Sequence, residues 1–216
     1  MRLYYTVAGP GTAEQTIERS RFIAFVSPAN SREEAEAFIR SVSAEHKDAT
    51  HNVPAMVIGD KMQIQWASDD GEPQGTSGAP MVKLLVSQGI TNVVIVVTRY
   101  FGGIKLGTGG LVRAYTSSAK IGLEAAGIAS AEQKTVITFA VDYSTYNKVA
   151  SLDTGGRAAL SDIRYTDKVT FDAACEPDDE EWLKGMISGA SNGKAEVVEI
   201  RTEIVKISVD KSSVIL

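Results

Sequence analysis

The chain has 216 residues, 44% of them hydrophobic and 23% charged, with a formal net charge of −5. That length and apolar share allow one large domain or two small ones with real cores. No run of about 18 apolar residues is available to span a bilayer, and the single cysteine, Cys175, excludes an internal disulfide. MRLYYTVAGPGTAEQ lacks the apolar core of a signal peptide, so a reducing cytoplasm is the expected location. Residues 1–134 carry 13 Lys+Arg and 13 Asp+Glu, leaving 9 and 14 for residues 135–216. No part has the basic excess that tight, sequence-independent nucleic-acid binding requires, so any phosphate contact must be local.

In chain order, Leu3–Val7 reads as a strand broken by Gly9-Pro10-Gly11, and Arg21–Val26 as a second strand. Ser31 with Glu34 three residues on forms a capping box. The helix it opens carries the stripe Ala35, Phe38, Ile39 and Val42 and runs to His46. His46 and His51 are the only histidines. Five apart, with no cysteine nearby, they fit a metal site poorly, and a loop-bracing role for His51 and Asn52 is favoured. Val53–Ile58 and Met62–Trp66 predict a hairpin around Gly59-Asp60, with Gln63 and Gln65 on a wet face.

SDDGEPQGTSGAP then places Asp69, Asp70 and Glu72 in one loop. Three acids in four residues could hold Mg²⁺, form a solvated turn, or pair with Arg99 or Arg113. The last two readings are favoured. Thr76 or Ser77 can cap a helix with Met81, Leu84 and Leu85 on its apolar side, ended by Gly89.

Val93–Val97 is an unbroken β-branched run that suits a strand buried on both faces. Arg99, Tyr100 and Phe101 follow it, and then Gly102, Gly103, Gly107, Gly109 and Gly110 fall within nine residues. Such glycine density implies positive φ angles or close backbone approach. From Leu111 the spacing is helical through Tyr115, Ala119 and Leu123, and Gly127 can end that helix. A strand, glycine loop and helix can aim free N–H groups at an anion, with Lys105 in the loop and Arg113 one turn into the helix. The spacing matches neither a P-loop nor a dinucleotide fingerprint, and a tight packing turn is the alternative.

Ser130–Lys134 is a short polar segment expected to hinge two domains, 1–133 and 134–216. Beyond it come a strand at Val136–Val141, a helix capped by Ser144 and closed by Gly155-Gly156, and a hairpin of Ile163–Tyr165 with Val169–Ala173. An acidic helix start at Asp178 and Glu181 leads a stripe of Trp182, Leu183, Met186 and Ile187, and Val197–Val209 is a last long strand. The order β-α-β-β-α-β is the ferredoxin-like arrangement.

RYFGGIKLGTGGLVRAY, with ATHNV at 49–53 and DDGEPQGTSG at 69–78, closely resembles the YigZ/IMPACT family over residues 17–127. The resemblance implies an α+β fold: an N-terminal left-handed βαβ domain like domain IV of elongation factor G, followed by a ferredoxin-like domain. The family's motif residues fall on His51, Asn52, Asp69, Asp70, Glu72, Arg99, Tyr100, Gly102, Gly103, Lys105, Gly107, Gly110 and Tyr115, none with an accepted catalytic role. Eukaryotic members take part in translational control during amino-acid starvation. The reading that follows is a non-enzymatic binder of RNA, a ribosome or a translation factor, with no cofactor and no metal. In it Arg99 and Lys105 contact phosphate, Tyr100 or Phe101 stacks on a base, and the acids hold the basic side chains. The rival is a Mg-dependent hydrolase or transferase acting on phosphate compounds, with Asp70 and Glu72 on the metal and His51 as base. A protein–protein adaptor is the third reading.

Overall fold

The computed structural model describes residues 2–209 and divides them between two units. One holds Leu3–Ala131 and resumes at Lys206; the other holds Arg2 and Glu132–Val205.

The first unit contains β1 (Arg2–Val7) from Leu3 onward, β2 (Gly11–Ile17), β3 (Ser20–Pro28), α1 (Arg32–Glu45), β4 (His51–Ile58), β5 (Ile64–Ala67), α2 (Gly78–Ser87), β6 (Val93–Tyr100) and α3 (Gly107–Ala126). Its sheet has the order β2-β3-β6-β4-β5, with each neighbouring pair antiparallel. Strands β3 and β4 both oppose β6, so they run parallel to each other, and α1 connects them in a β-α-β crossover. Val93, Ile95 and Val97 of β6 pack into a core with Met81 and Leu85 of α2 and Tyr115, Ala119 and Leu123 of α3. Val94, on the opposite face, packs with Ala35 of α1, Met56 and Ile58. Helices on both faces of the sheet explain why the β6 run is apolar without alternation. Each such side chain contributes about 1.5–3 kcal/mol by leaving water.

Two features of this unit depart from the sequence reading. Strand β2 was not expected, and it joins β3 through a two-residue turn in which Glu18 and Arg19 have φ of 46° and 64°. Helix α3 begins at Gly107, one turn before Leu111. The expected capping box of α1 forms in a shifted version: Ser31 Oγ accepts from Glu34 N (3.2 Å), but Glu34 Oε2 reaches back to Asn30 N (2.8 Å), one residue before the cap.

The second unit runs β7 (Ile128–Val141), α4 (Tyr143–Ala150), β8 (Ala158–Tyr165), β9 (Val169–Cys175), α5 (Glu180–Ala190) and β10 (Glu196–Ser208). This is the expected β-α-β-β-α-β order; its sheet has five strands, in the order β1-β7-β9-β8 with β10 also pairing β7. Ile137, Phe139 and Val141 of β7 and Phe171 and Ala173 of β9 meet Leu183 and Ile187 of α5 in its core, so the fold class is α+β throughout. Three details correct the sequence reading. The α4 cap is Asp142, whose Oδ1 accepts from Thr145 N at 2.6 Å, and not Ser144. β8 starts five residues before Ile163 and carries a register shift between Ser161 and Arg164. Ser130–Lys134, expected as a hinge, lies inside β7. Among the described residues no helix is long and apolar enough to cross a membrane.

Candidate functional site

Strand register assembles the site at one end of the first unit's sheet. In β6, Arg99 lies opposite Phe22 of β3 on one side and His51 of β4 on the other, and Asn52 lies opposite Thr98. Three distant stretches of sequence therefore become neighbours through strand pairing alone. The loop after β5 and the loop after β6 close over them. The result is a cleft of about 420 Å³ whose walls include His51, Glu72, Arg99, Phe101, Lys105 and Gly107.

The floor of the cleft is a buried ion pair. Arg99 Nη1 donates to Glu72 Oε1 at 2.6 Å, and both side chains are about 95% buried, at 5% and 4% exposure. Arg99 Nη2 donates to Ser20 Oγ at 3.2 Å. The guanidinium lies between two rings, with its carbon 5.3 Å from the centroids of Phe22 and Phe101. Glu72 Oε1 also accepts from the Tyr115 hydroxyl at 2.7 Å. Burial first, and then the Glu72 carboxylate, push the Tyr115 phenol above its usual range, so it stays an O–H donor. A buried carboxylate opposed by a guanidinium and a phenol is satisfied, whereas either partner alone would leave a costly buried charge. Arg99 is thus engaged inside the fold, and it is not the exposed phosphate contact that the sequence suggested.

The three acids of the DDGEP loop take three different jobs. Only Glu72 holds a basic side chain. Asp69 caps α2 from outside the helix: its Oδ1 accepts from Ser77 N (3.1 Å), Ser77 Oγ (2.6 Å) and Gly78 N (3.0 Å), and its Oδ2 from Gly75 N (2.7 Å). Burial opposes its ionisation, but the Ser77 hydroxyl and the backbone donors outweigh it and hold the carboxyl below its usual range. Ser77 is the N-cap residue by position and makes no capping bond itself. Asp70, at φ 44°, accepts from Asn52 N at 2.5 Å. Among the described residues no group of three or more His, Cys, Asp or Glu side chains could hold a metal ion.

His51 and Asn52 brace the loops. His51 Nδ1 lies 2.7 Å from the Asp70 carbonyl, which can only accept, so Nδ1 carries a proton and Nε2 faces Glu72 Oε1 at 3.8 Å. Asn52 Oδ1 accepts from Thr98 Oγ1 at 2.7 Å, and its Nδ2 donates to the His46 carbonyl at 3.0 Å. Tyr100 turns away from the cleft, its hydroxyl 2.9 Å from His46 Nδ1.

The glycine loop divides by position. A Cβ on Gly102 would lie 2.0 Å from the Arg19 carbonyl, so the loop can press against the β2–β3 turn only with glycine there. Gly103 and Gly107 hold positive φ, at 88° and 69°. Gly109 and Gly110 sit in the first turn of α3, which has no side-chain cap and no acidic residue. Its free N–H groups and the Lys105 ammonium leave that rim of the cleft positive. Phe101 is 45% exposed at the lip, over the Arg99 guanidinium. Arg113 lines a second hollow of about 390 Å³, with Ile17, Glu18 and Gly110, that shares Lys105 with the cleft. Sequence reasoning missed Ser20 and Thr50. Ser20 Oγ accepts from Arg99 and from Gly102 N, and Thr50 Oγ1 accepts from Phe101 N. Ser20 is a single hydroxyl with no pattern to mark it, whereas Thr50 sits inside the ATHNV stretch and could have been taken from it.

Residues 18–123 match the Impact N-terminal domain family. The chain is 38% identical over 196 residues to the IMPACT family member YvyE of Bacillus subtilis, covering 91% of this chain and 90% of that protein. It is 47% identical over 117 residues to the IMPACT family member YigZ of Escherichia coli, covering 53% and 57% of the two. The Protein IMPACT homolog of Saccharomyces cerevisiae is 33% identical over 93 residues, covering 41% of this chain and 35% of that one. A solved structure described as that of a hypothetical protein aligns over 98% of this chain and 99% of its own, with TM-score 0.58 and 30% identity.

Proposed function

This chain belongs to the IMPACT family, and from that membership we propose that it is a non-enzymatic, translation-associated protein that binds RNA through the cleft. The observation that carries the reading is Phe101. An aromatic ring 45% exposed, with a buried guanidinium behind it, is a ready platform for a base. Lys105 and the uncapped start of α3 flank the ring and suit the adjoining phosphate. The buried pair of Arg99 and Glu72 keeps the platform rigid and does not touch the ligand.

The rival phosphate hydrolase has less support, because Asp69 and Asp70 spend carboxylate oxygens on backbone N–H groups and Glu72 faces Arg99. The even charge of residues 1–134 favours the protein adaptor as the second reading, with a translation factor as partner.

Titration with a short single-stranded RNA at several salt concentrations separates them. Phe101→Ala weakens binding about tenfold, since one stacked base is worth about 1–3 kcal/mol. Lys105→Ala flattens the slope of log K against log salt by about 0.7, one phosphate contact to a single strand. Unchanged affinity and slope in both variants would remove RNA from the cleft and put the adaptor first.

A further inference from the structure

β10 is the outer strand of the second sheet, and among the described strands it pairs with β7 alone. Among the charged residues Glu196, Glu199, Arg201, Glu203 and Lys206 it carries five large aliphatic side chains that are exposed. Val197, Val198, Ile200, Ile204 and Ile207 are all at least 40% exposed, Val198 at 57% and Ile204 at 52%. The strand is 13 residues long and has no proline. Proteins usually blunt an edge of that length, because its unpaired N–H and C=O groups are a template for another strand.

The polarity of the edge follows from the ladder. Val209 N donates to the Ile128 carbonyl, so odd-numbered residues of β10 direct their backbone groups to β7. By alternation Ile200, Thr202 and Ile204 direct theirs outward. Side chains alternate too, and Glu199, Arg201 and Glu203 share one face. Arg201 is fixed there: Nη2 donates to Asp172 Oδ2 (2.5 Å), Nη1 to Thr138 Oγ1 (2.9 Å) and Nε to Glu203 Oε1 (2.6 Å).

We propose that this edge joins two copies of the chain, β10 against β10, antiparallel about a two-fold axis at Thr202. The occupant is chosen by charge and register. With the axis at Thr202, Ile200 stands opposite Ile204 of the second copy, and Arg201 opposite Glu203, each twice by symmetry. An axis at Arg201 sets Arg201 against Arg201 and Glu199 against Glu203, and it turns the wrong backbone groups outward. An axis at Ile200 leaves Val197 against Glu203, and one at Ile204 leaves Arg201 against Ile207. Axes at Thr202 and at Ile200 both combine outward backbone donors with opposite charges, but Thr202 sets two aliphatic pairs, Ile200–Ile204 and Val197–Ile207, each twice, where an axis at Ile200 sets only Ile200 against itself. The four charges at the axis then alternate in sign around it.

If the edge pairs, sedimentation of the full chain should show a concentration-dependent species of twice the monomer mass. Ile204→Lys weakens the association at least about tenfold, since a lysine then faces Ile200 at two symmetric places. Thr202→Cys tests the register. Directly opposed residues of a hydrogen-bonded pair have Cα atoms about 5.5 Å apart, within disulfide range, and the natural Cys175 is buried. Mild oxidation therefore links Thr202→Cys to itself. Ile200→Cys alone does not link, and Ile200→Cys combined with Ile204→Cys does. A monomer at every concentration, a dimer indifferent to Ile204→Lys, or equal linking by Thr202→Cys and Ile200→Cys would each overturn the proposal.

Discussion

Strands β6 and β10 are built from the same β-branched stock and meet opposite fates. Every residue of β6 from Val93 to Arg99 is buried, whereas no residue of β10 is. Residue type decides part of this, since β10 sets Glu196, Glu199, Arg201, Glu203 and Lys206 among its aliphatic residues while Val93–Val97 carries no charge; sheet position decides the rest. β6 is third of five in its sheet, with helices over both faces, and β10 is an edge. Each strand also carries an arginine in a carboxylate setting. Arg99 has one carboxylate, Glu72, in a dry interior, while Arg201, 29% exposed, has Asp172, Glu199 and Glu203. An unbroken apolar run such as Val93–Val97 already points to a buried strand, whereas a run interrupted by charges, as in β10, leaves core or surface to the sheet order.

The largest expected effect breaks the β6 side at its arginine. Glu72→Gln leaves the Arg99 charge buried without a counter-charge and lowers stability by about 3–5 kcal/mol in urea unfolding. A loss under about 1 kcal/mol would mean that the pair is wetter than its burial implies. Next comes a matched truncation. Ile95→Ala, at a fully buried position, costs about 2–5 kcal/mol, and Ile200→Ala costs under about 0.5 kcal/mol when measured on the monomer. Equal losses would erase the contrast between the strands.

The smallest effect is one of pH. Burial raises the Asp172 carboxyl, but the Arg201 and Thr138 hydrogen bonds outweigh it and hold its pKa below the ordinary value near 3.8. A carboxyl depressed in the folded state contributes stability that is fully present above its unfolded pKa and is lost as pH falls through the folded one. The second unit should therefore lose stability as pH drops below about 4. Asp172→Asn should flatten that acid slope. An unchanged slope would show that Arg201 spends its charge on Glu199 and Glu203 instead.

Much of this fold was legible because local signals and tertiary context agreed. The Ser31–Glu34 box, the Val93–Val97 run and the Leu111–Leu123 spacing each describe what the chain does there. Strand β2 was not legible, because GTAEQTI has one large apolar residue and its turn uses Glu18 and Arg19 at positive φ in place of Asn-Gly. The site was half legible. Its three loops could be read from their polar and glycine content, but Asp69, Asp70 and Glu72 were chemically equivalent as a string. The β4–β6 register and the start of α2 distinguish them, giving Asp69 to the helix, Asp70 to Asn52 and Glu72 to Arg99. Arg99 read as a ligand contact for the same reason: sequence shows a cation leaving a strand but not the aromatic rings and the carboxylate that enclose it.

The resumption of the first unit at Lys206 has a consequence for the order of synthesis. A ribosome delivers Leu3–Ala131, then Glu132–Val205 of the second unit, and only afterwards the segment whose Val209 packs on the first core and bonds to the Ile128 carbonyl. The first unit to emerge is thus the last to be completed. Until more than seventy further residues have been added, as counted between Ala131 and Lys206, Ile128 keeps an open acceptor, and the nascent protein carries an unfinished edge.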